Sequence, residues 1–395
     1  MFDIIPKKGG LCNVEGFYFE GVNIGMKEKE PDIAFIRSDV LCDVEALFTT
    51  NRFMAAPLKH YKRYPKDFKT NFLLINSKNA NAMTSQKGIE DIDEILKIAK
   101  EKLPSIQNPI MSSTGVIGYR LNLQKIISSF DKFDFQKRDS DSVAKAIMTT
   151  DSFKKEIAFE VLLEDGKSFN IAAICKGAGM INPAMATMLC FILSDANIPK
   201  EDMKELLEKH VDTTFNAISV DGDTSTNDTV MLLSNKKSGV YQKEAFSEAL
   251  RQIMMNLALL IVKDGEGANK VVAFEVKGAK NDDEAKTAAK ALSNSLLVKT
   301  AVFGEDPNWG RIASTIGSCG CECDEESLSI CYDDVVVYSR DKRELDEETE
   351  RRACKVMKKE SFRIKCDLGV GEGSFTAYGC DLSYDYVKIN ADYRT

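Results

Sequence analysis

Lys176-Gly177-Ala178-Gly179-Met180-Ile181-Asn182-Pro183-Ala184-Met185-Ala186-Thr187-Met188-Leu189 sits near the middle of the chain and joins two kinds of sequence. Its first part is a small-residue loop. Its end opens an apolar run, residues 187–193, of strand length. The loop therefore delivers one threonine to the first position of a buried strand. Taken alone, Thr187 is a β-branched strand residue. Taken chemically, the position suits a nucleophile. A threonine hydroxyl is weak, but a free α-amine on the same residue, with a pKa of about 7.7–8.0, can take its proton. That amine exists only if the chain is cut just before Thr187.

Outward from this stretch, strands and helices interleave. Residues 159–163 and 169–175 read as a hairpin turning at Asp165-Gly166. Residues 32–36 and 72–75 read as buried strands, and 89–103 as an amphipathic helix stopped by Pro104. Helices are expected at 199–211 and, as the longest, at 243–263, where Asp264-Gly265 supplies a C-cap glycine. Beyond lie a strand at 271–276, a helix at 282–297 started by Asn281 or Asp282, and a strand at 298–303. Strands at 328–332 and 335–338, a charged helix at 345–359, and strands around a glycine hairpin turn at 369–373 complete the pattern. The expected domains are 1–278, with 198–270 as a candidate subdomain, and 279–395.

Composition narrows the function. The 395 residues are 44% hydrophobic and 29% charged, so the chain can bury a sizeable core. The longest strictly apolar runs, 188–193 and 257–262, fall far short of the ~18 residues that span a bilayer, and residues 1–8 lack the pattern of a secretory leader, so none is expected. No membrane partner and a cytoplasmic address are expected. A formal charge of −8 argues against a nucleic-acid partner, and the basic stretch Lys59, Lys62, Arg63, Lys66 and Lys69 reads as a solvated face. Eleven cysteines are odd in number and sparse for a disulfide framework. Cys319, Cys321 and Cys323 lack the spacing of a zinc site, and the Asp221, Asp223 and Asn227 loop lacks the glycine and closing glutamate of a calcium loop. No metal is expected. Gly177-Ala178-Gly179 lacks a dinucleotide fingerprint and no Walker lysine follows a glycine cluster, so no cofactor is expected.

Further polar segments are rich in small and amide residues: 76–82 (NSKNANA), 112–118 (SSTGVIG) and 219–229 (SVDGDTSTNDT). Read blandly, they are turns that bond their own backbone. Together with the Lys176 stretch, Asp264-Gly265-Glu266-Gly267-Ala268, Asp306-Pro307-Asn308-Trp309-Gly310-Arg311 and Asn390-Ala391-Asp392-Tyr393-Arg394-Thr395, they resemble the ornithine acetyltransferase/glutamate N-acetyltransferase family of arginine biosynthesis, in family order and over nearly the whole chain.

The resemblance implies a layered α/β (α+β) sandwich of the self-cleaving aminopeptidase type with a smaller C-terminal α+β domain whose tail returns to the active site. It implies cleavage between Ala186 and Thr187, Thr187 as nucleophile, and Thr114 with Gly115 as the pair that stabilises the oxyanion. Thr150 (or its neighbour Thr149), Lys176, Thr187, Glu266, Asn390 and Thr395 match substrate-binding positions. The implied substrates are N2-acetylornithine and L-glutamate, with acetyl-CoA as a donor in some members. The implied assembly is α and β fragments doubled into α2β2. The residues agree. Lys176 offers a point charge for a carboxylate, and Glu266 follows a helix C-terminus, an unfavourable place for an anion. The rivals are a related self-cleaving amidohydrolase or aminopeptidase and an unprocessed binding protein.

Overall fold

The computed structural model describes residues 1–182 and 188–392, so the expectations for Ala186, Thr187 and Thr395 lie outside the described residues. In chain order the first strands are β1 (Phe2–Pro6), β2 (Phe17–Val22), β3 (Ile33–Phe48), β4 (Lys69–Asn76), β5 (Ile110–Ser113), β6 (Lys155–Leu163), β7 (Ser168–Lys176), β8 (Leu189–Ser194), β9 (Ile218–Ser219) and β10 (Thr229–Ser234). All but β9 join one sheet in the order β1-β6-β7-β8-β10-β3-β4-β5, with β2 beside β3. The hairpin turning at Asp165-Gly166 is β6 and β7.

The alternation of side chains along β7 and β8 explains the layers. Ile171, Ala173, Cys190 and Ile192 face one core with Phe246, Ile253 and Leu257 of helix Lys243–Lys263 and Met203 and Leu206 of helix Lys200–Val211. Ala172, Ile174, Phe191 and Leu193 face the other, with Phe17, Phe19 and Val143. Covered on both faces, β8 and β10 are buried throughout. Helix Ser85–Lys102 lays Ile92, Ile95, Leu96 and Ala99 on Phe35, Phe72 and Leu74.

The remaining strands, β11 (Val271–Ala279), β12 (Ser329–Tyr332), β13 (Val335–Tyr338), β14 (Ser361–Asp367) and β15 (Gly373–Cys380), form a second sheet with β9, ordered β13-β12-β14-β11-β15-β9. Helices Asp282–Asn294, Trp309–Ser318 and Glu347–Met357 cover it through Ala285, Ala289, Leu292, Ile312, Ile316 and Ala353. The mixed α/β class and the smaller C-terminal α+β layer are as expected.

Four details differ from the sequence reading. The apolar stretch 298–303 is helix Leu296–Phe303, not a strand. The Ser295 hydroxyl accepts the Val298 N–H to start it, and Val298, Ala301 and Val302 form its buried side. This also ends the preceding helix at Asn294. The glycines at 369–373 close no hairpin: β14 runs parallel to one side of β11 and β15 antiparallel to the other, so the connection crosses the end of β11. The left-handed glycine after helix Lys243–Lys263 is Gly267 (φ 71°), not Gly265. Finally, β11 lies between β14 and β15, so a division at 278/279 falls inside that strand, and β9, at 218–219, also belongs to the second sheet. Helix Lys243–Lys263 is long and apolar enough to cross a bilayer by composition, but its apolar residues fill the first core.

Candidate active site

Lys176, at the end of β7, pairs with Leu189 at the start of β8, and Leu189 pairs with Thr229 at the start of β10. A cavity of about 150 Å³ opens at this level. Thr114, Gly115, Thr149, Thr150, Lys176, Glu266 and Asn390 line it. Residues separated by up to 276 positions in sequence (390 − 114) thus meet at one place. Thr149 and Thr150 both reach it, so the choice between them stays open.

Each wall has a local cause. The 76–82 segment does not line the cavity; it is the platform beneath Thr114 and Gly115. Asn76 O accepts the Thr114 N–H at 3.0 Å, and Lys78 O accepts the Val116 N–H at 3.3 Å. Gly115 (φ 130°) crosses so near that a Cβ would lie 2.3 Å from the Lys78 carbonyl carbon, so only glycine fits. The Thr114 hydroxyl has no hydrogen-bond partner among the described residues and remains available as a donor. Glu266 is buried and folds back onto the loop after β7. Its N–H donates to Ala178 O at 3.0 Å, and its carboxylate accepts from Asn390 Nδ2 at 2.7 Å. A Cβ on Gly179 would come within 2.4 Å of that carboxylate.

Below the cavity floor lies a buried ion triad that sequence reading missed. Lys155 Nζ donates to Asp151 at 2.7 Å and to Asp264 at 2.5 Å. Asp151 also accepts the Gly177 N–H at 2.7 Å, and Asp264 accepts the Ser152 N–H at 3.1 Å. Burial pushes the Asp151 carboxyl up, but Lys155, Lys176 and the Gly177 N–H outweigh it and hold it below the ordinary carboxylate range. Burial pulls the Lys155 ammonium down, yet its neighbours, Asp151 foremost, leave it above its ordinary value. One charge cluster therefore ties the Thr149–Thr150 loop, the end of β7 and the Glu266 turn together. The Lys176 side chain makes no hydrogen bond or ion pair among the described residues. Burial lowers its pKa, with Asp151 and Asp228 opposing.

A profile of the ArgJ family matches residues 18–395. The chain belongs to the ArgJ family. It is 60% identical, over the full length of both chains, to the arginine biosynthesis bifunctional protein ArgJ of Wolinella succinogenes. It is 43% identical to the glutamate N-acetyltransferase of Methanocaldococcus jannaschii, over 98% of this chain and 99% of that one. A crystal structure of ArgJ from Bacillus halodurans is 39% identical over 51% of this chain and 98% of that chain, with a TM-score of 0.48.

In this ArgJ-family chain the 219–229 segment does two jobs. Asp221 accepts the Met180 and Ile181 N–H groups at 2.6 and 2.9 Å, which holds Met180 at a left-handed φ of 57°. Asn182 Nδ2 donates to Gly222 O, Thr224 donates to Asn182 O, and Thr229 N–H donates to Met188 O at 2.7 Å. Both flanks of residues 183–187 are therefore fastened to the same segment. At its far end, Asn227 Nδ2 bonds Ala80 O and Ser113 O, linking it to the Thr114 platform. The 306–311 motif lies away from the cavity: Trp309 stacks on Tyr338, and Arg311 donates to Leu297 O. Cys319 and Cys321 donate to backbone carbonyls of Ile316 and Glu284.

Asp221, Asp228 and Tyr386 also line the cavity and were not selected from sequence. Their signal was weak. Asp221 and Asp228 stood inside a quoted turn-like segment, and Tyr386 sits in a C-terminal helix, Tyr384–Asp392, with no buried residue.

Proposed function

We propose that this cavity is where the chain, an acyltransferase of arginine biosynthesis, moves acetyl from N2-acetylornithine to glutamate. The observation that supports the site is the meeting of Thr114, Gly115, Thr150, Lys176, Glu266 and Asn390 in one cavity, together with Met188, the sequence neighbour of Thr187. Thr187 Oγ attacks the acetamide carbonyl and the Thr187 amine takes the hydroxyl proton. The Thr114 hydroxyl and the Gly115 N–H receive the developing oxyanion. Ornithine leaves an acetyl-threonine ester, which the glutamate amine discharges. Lys176, whose ammonium makes no hydrogen bond or ion pair among the described residues, takes the α-carboxylate that both substrates share. Glu266, held by Asn390, faces the amino-acid end of the pocket. Thr395 is assigned a substrate-binding role in this reading.

The 60% identical relative is named a bifunctional protein, and in this reading the second activity uses acetyl-CoA as donor to the same acetyl-threonine. The mature form in this reading is α and β fragments, cut at Ala186/Thr187, in a cytoplasmic α2β2 assembly. A denaturing gel with N-terminal sequencing tests the cut: two bands, the smaller-numbered ending at Ala186 and the other beginning at Thr187, support it, and one band in active protein refutes it. Acetyl transfer to glutamate from each donor tests the reaction. Hydrolysis without transfer would favour the amidohydrolase rival.

A further inference from the structure

Amide-for-amide exchange through an ester has a proton imbalance between its halves. In the first half the threonine hydroxyl proton passes, through the base, to the leaving nitrogen, and ornithine departs as a neutral amine that must gain a proton. In the second half glutamate arrives as an ammonium and must lose one before it can attack. The Thr187 amine holds one proton at a time, and it is already committed to the hydroxyl. A site that excludes water to protect its ester needs somewhere else to keep the other proton.

Asp228 has the placement for this. It precedes β10, where the next residue, Thr229, donates its N–H to Met188 O at 2.7 Å, and it lines the same cavity as Lys176 and Thr114. The residue is 2% exposed, and its Oδ2 is buried without a hydrogen-bond partner. Thr49 and Ser225 face the carboxyl with neutral hydroxyls, and among the described residues Lys176 is the one charged group bearing on it. Lys176 is itself shared with Asp151 and Glu266, and Lys155 repels it. A buried carboxyl with an unmatched oxygen disfavours the anion, and burial does push Asp228 well above the ordinary carboxylate range, with Ser225, Lys176 and Thr49 opposing.

We propose that Asp228 holds the proton that the two half-reactions exchange. Its carboxylic acid protonates the amine of departing ornithine, and the carboxylate left behind takes a proton from the ammonium of incoming glutamate. Over a full cycle the carboxyl is regenerated and no proton crosses to solvent. The proposal rests on the reading that this cavity carries the transfer.

The test is discharge of preformed acetyl-enzyme by two acceptors: glutamate, an ammonium near neutral pH, and hydroxylamine, which is unprotonated there. Asp228→Asn keeps the shape and removes the proton site. Discharge by glutamate falls about 10²-fold or more, hydroxylamine discharge stays within a few-fold, and the glutamate rate of the variant recovers as pH rises. Equal loss with both acceptors, or no loss, overturns the proposal. Should the variant fail to process, the processed wild type decides. Its ratio of glutamate to hydroxylamine discharge stays level between about pH 7 and 8.5, whereas a ratio climbing about tenfold per pH unit, following the free amine in solution, overturns it. Wild-type acetyl-enzyme that neither acceptor discharges would instead refute the transfer reading itself.

Discussion

Lys155→Met tests whether the triad holds the site together. It removes the ammonium shared by Asp151 and Asp264 at 2.7 and 2.5 Å, where the three side chains are 0%, 0% and 2% exposed. Breaking a buried pair from one side costs about 3–5 kcal/mol, because the stranded charge keeps its desolvation penalty. Asp151 retains the Gly177 and Thr149 N–H groups and Asp264 the Ser152 N–H, so the lower end, about 3 kcal/mol, is expected. The pH dependence has a definite sign. Asp151 is held below its unfolded value, so its contribution in wild type is present above a pH of about 4 and lost as pH falls through the folded pKa. Lys155 is raised, so its contribution is lost only as pH rises through its folded pKa and is constant in the neutral range. In the variant, acid protonates the stranded carboxyls and relieves them. The gap between the two proteins therefore narrows on acidification. Urea midpoints near pH 8 and pH 5, taken in the uncut Thr187→Ala background so that unfolding involves one chain, measure it. A loss below about 1 kcal/mol, equal at both pH values, would refute the reasoning. Neutralising all three positions together, Lys155→Met with Asp151→Asn and Asp264→Asn, recovers most of the loss.

Thr114→Ala removes an oxyanion donor, so turnover in fully processed protein falls about 10²–10³-fold with little change in KM; a change in KM alone would make Thr114 a binding residue. Gly179→Ala places a Cβ within 2.4 Å of the Glu266 carboxylate and is expected to raise KM for both substrates, as initial-rate kinetics would register. Thr187→Ala leaves the chain whole on a denaturing gel and Thr187→Ser still cuts, more slowly; efficient cutting of the alanine variant removes Thr187 from the chemistry.

Legibility from sequence followed the range of the interaction. Helix Lys243–Lys263 was read to the residue because its apolar spacing is local and strong. The stretch at 298–303 was misread because a short apolar run fits a buried strand or a buried helix equally, and only the Ser295 cap decides between them. The β14–β15 connection was misread because adjacent strands usually pair and nothing in the glycines shows β11 between them. At the site, the motif residues were legible through the family pattern, and the structure brings the described ones to one cavity. The triad was not legible. Lys155 and Asp264 are 109 positions apart, and each alone is an ordinary charged residue. Burial with unmatched partners, which singles out Asp228, likewise has no local signature.

The same topology bears on what a cut at Ala186/Thr187 would do. Residues 1–186 contribute β1 to β7 and residues 187–395 contribute β8 to β15. The seam is not a surface. β7 pairs with β8 over six residues, and β3 pairs with β10 over six more, in the middle of the first sheet. Ile171 and Ala173 from one side share a core with Ile253 and Leu257 from the other. Lys155 and Asp151 are on one fragment and Asp264 is on the other, so separation would also break the triad. Pulling the fragments apart would break both strand pairs, expose four strand edges (β7, β8, β10 and β3) and open most of a core, an outcome close to unfolding. The fragments are therefore expected to co-elute at every native concentration and to part only in denaturant, in the same transition that melts the fold. Separation on dilution, with secondary structure intact, would refute this and would mean that the strand pairs across the seam contribute little.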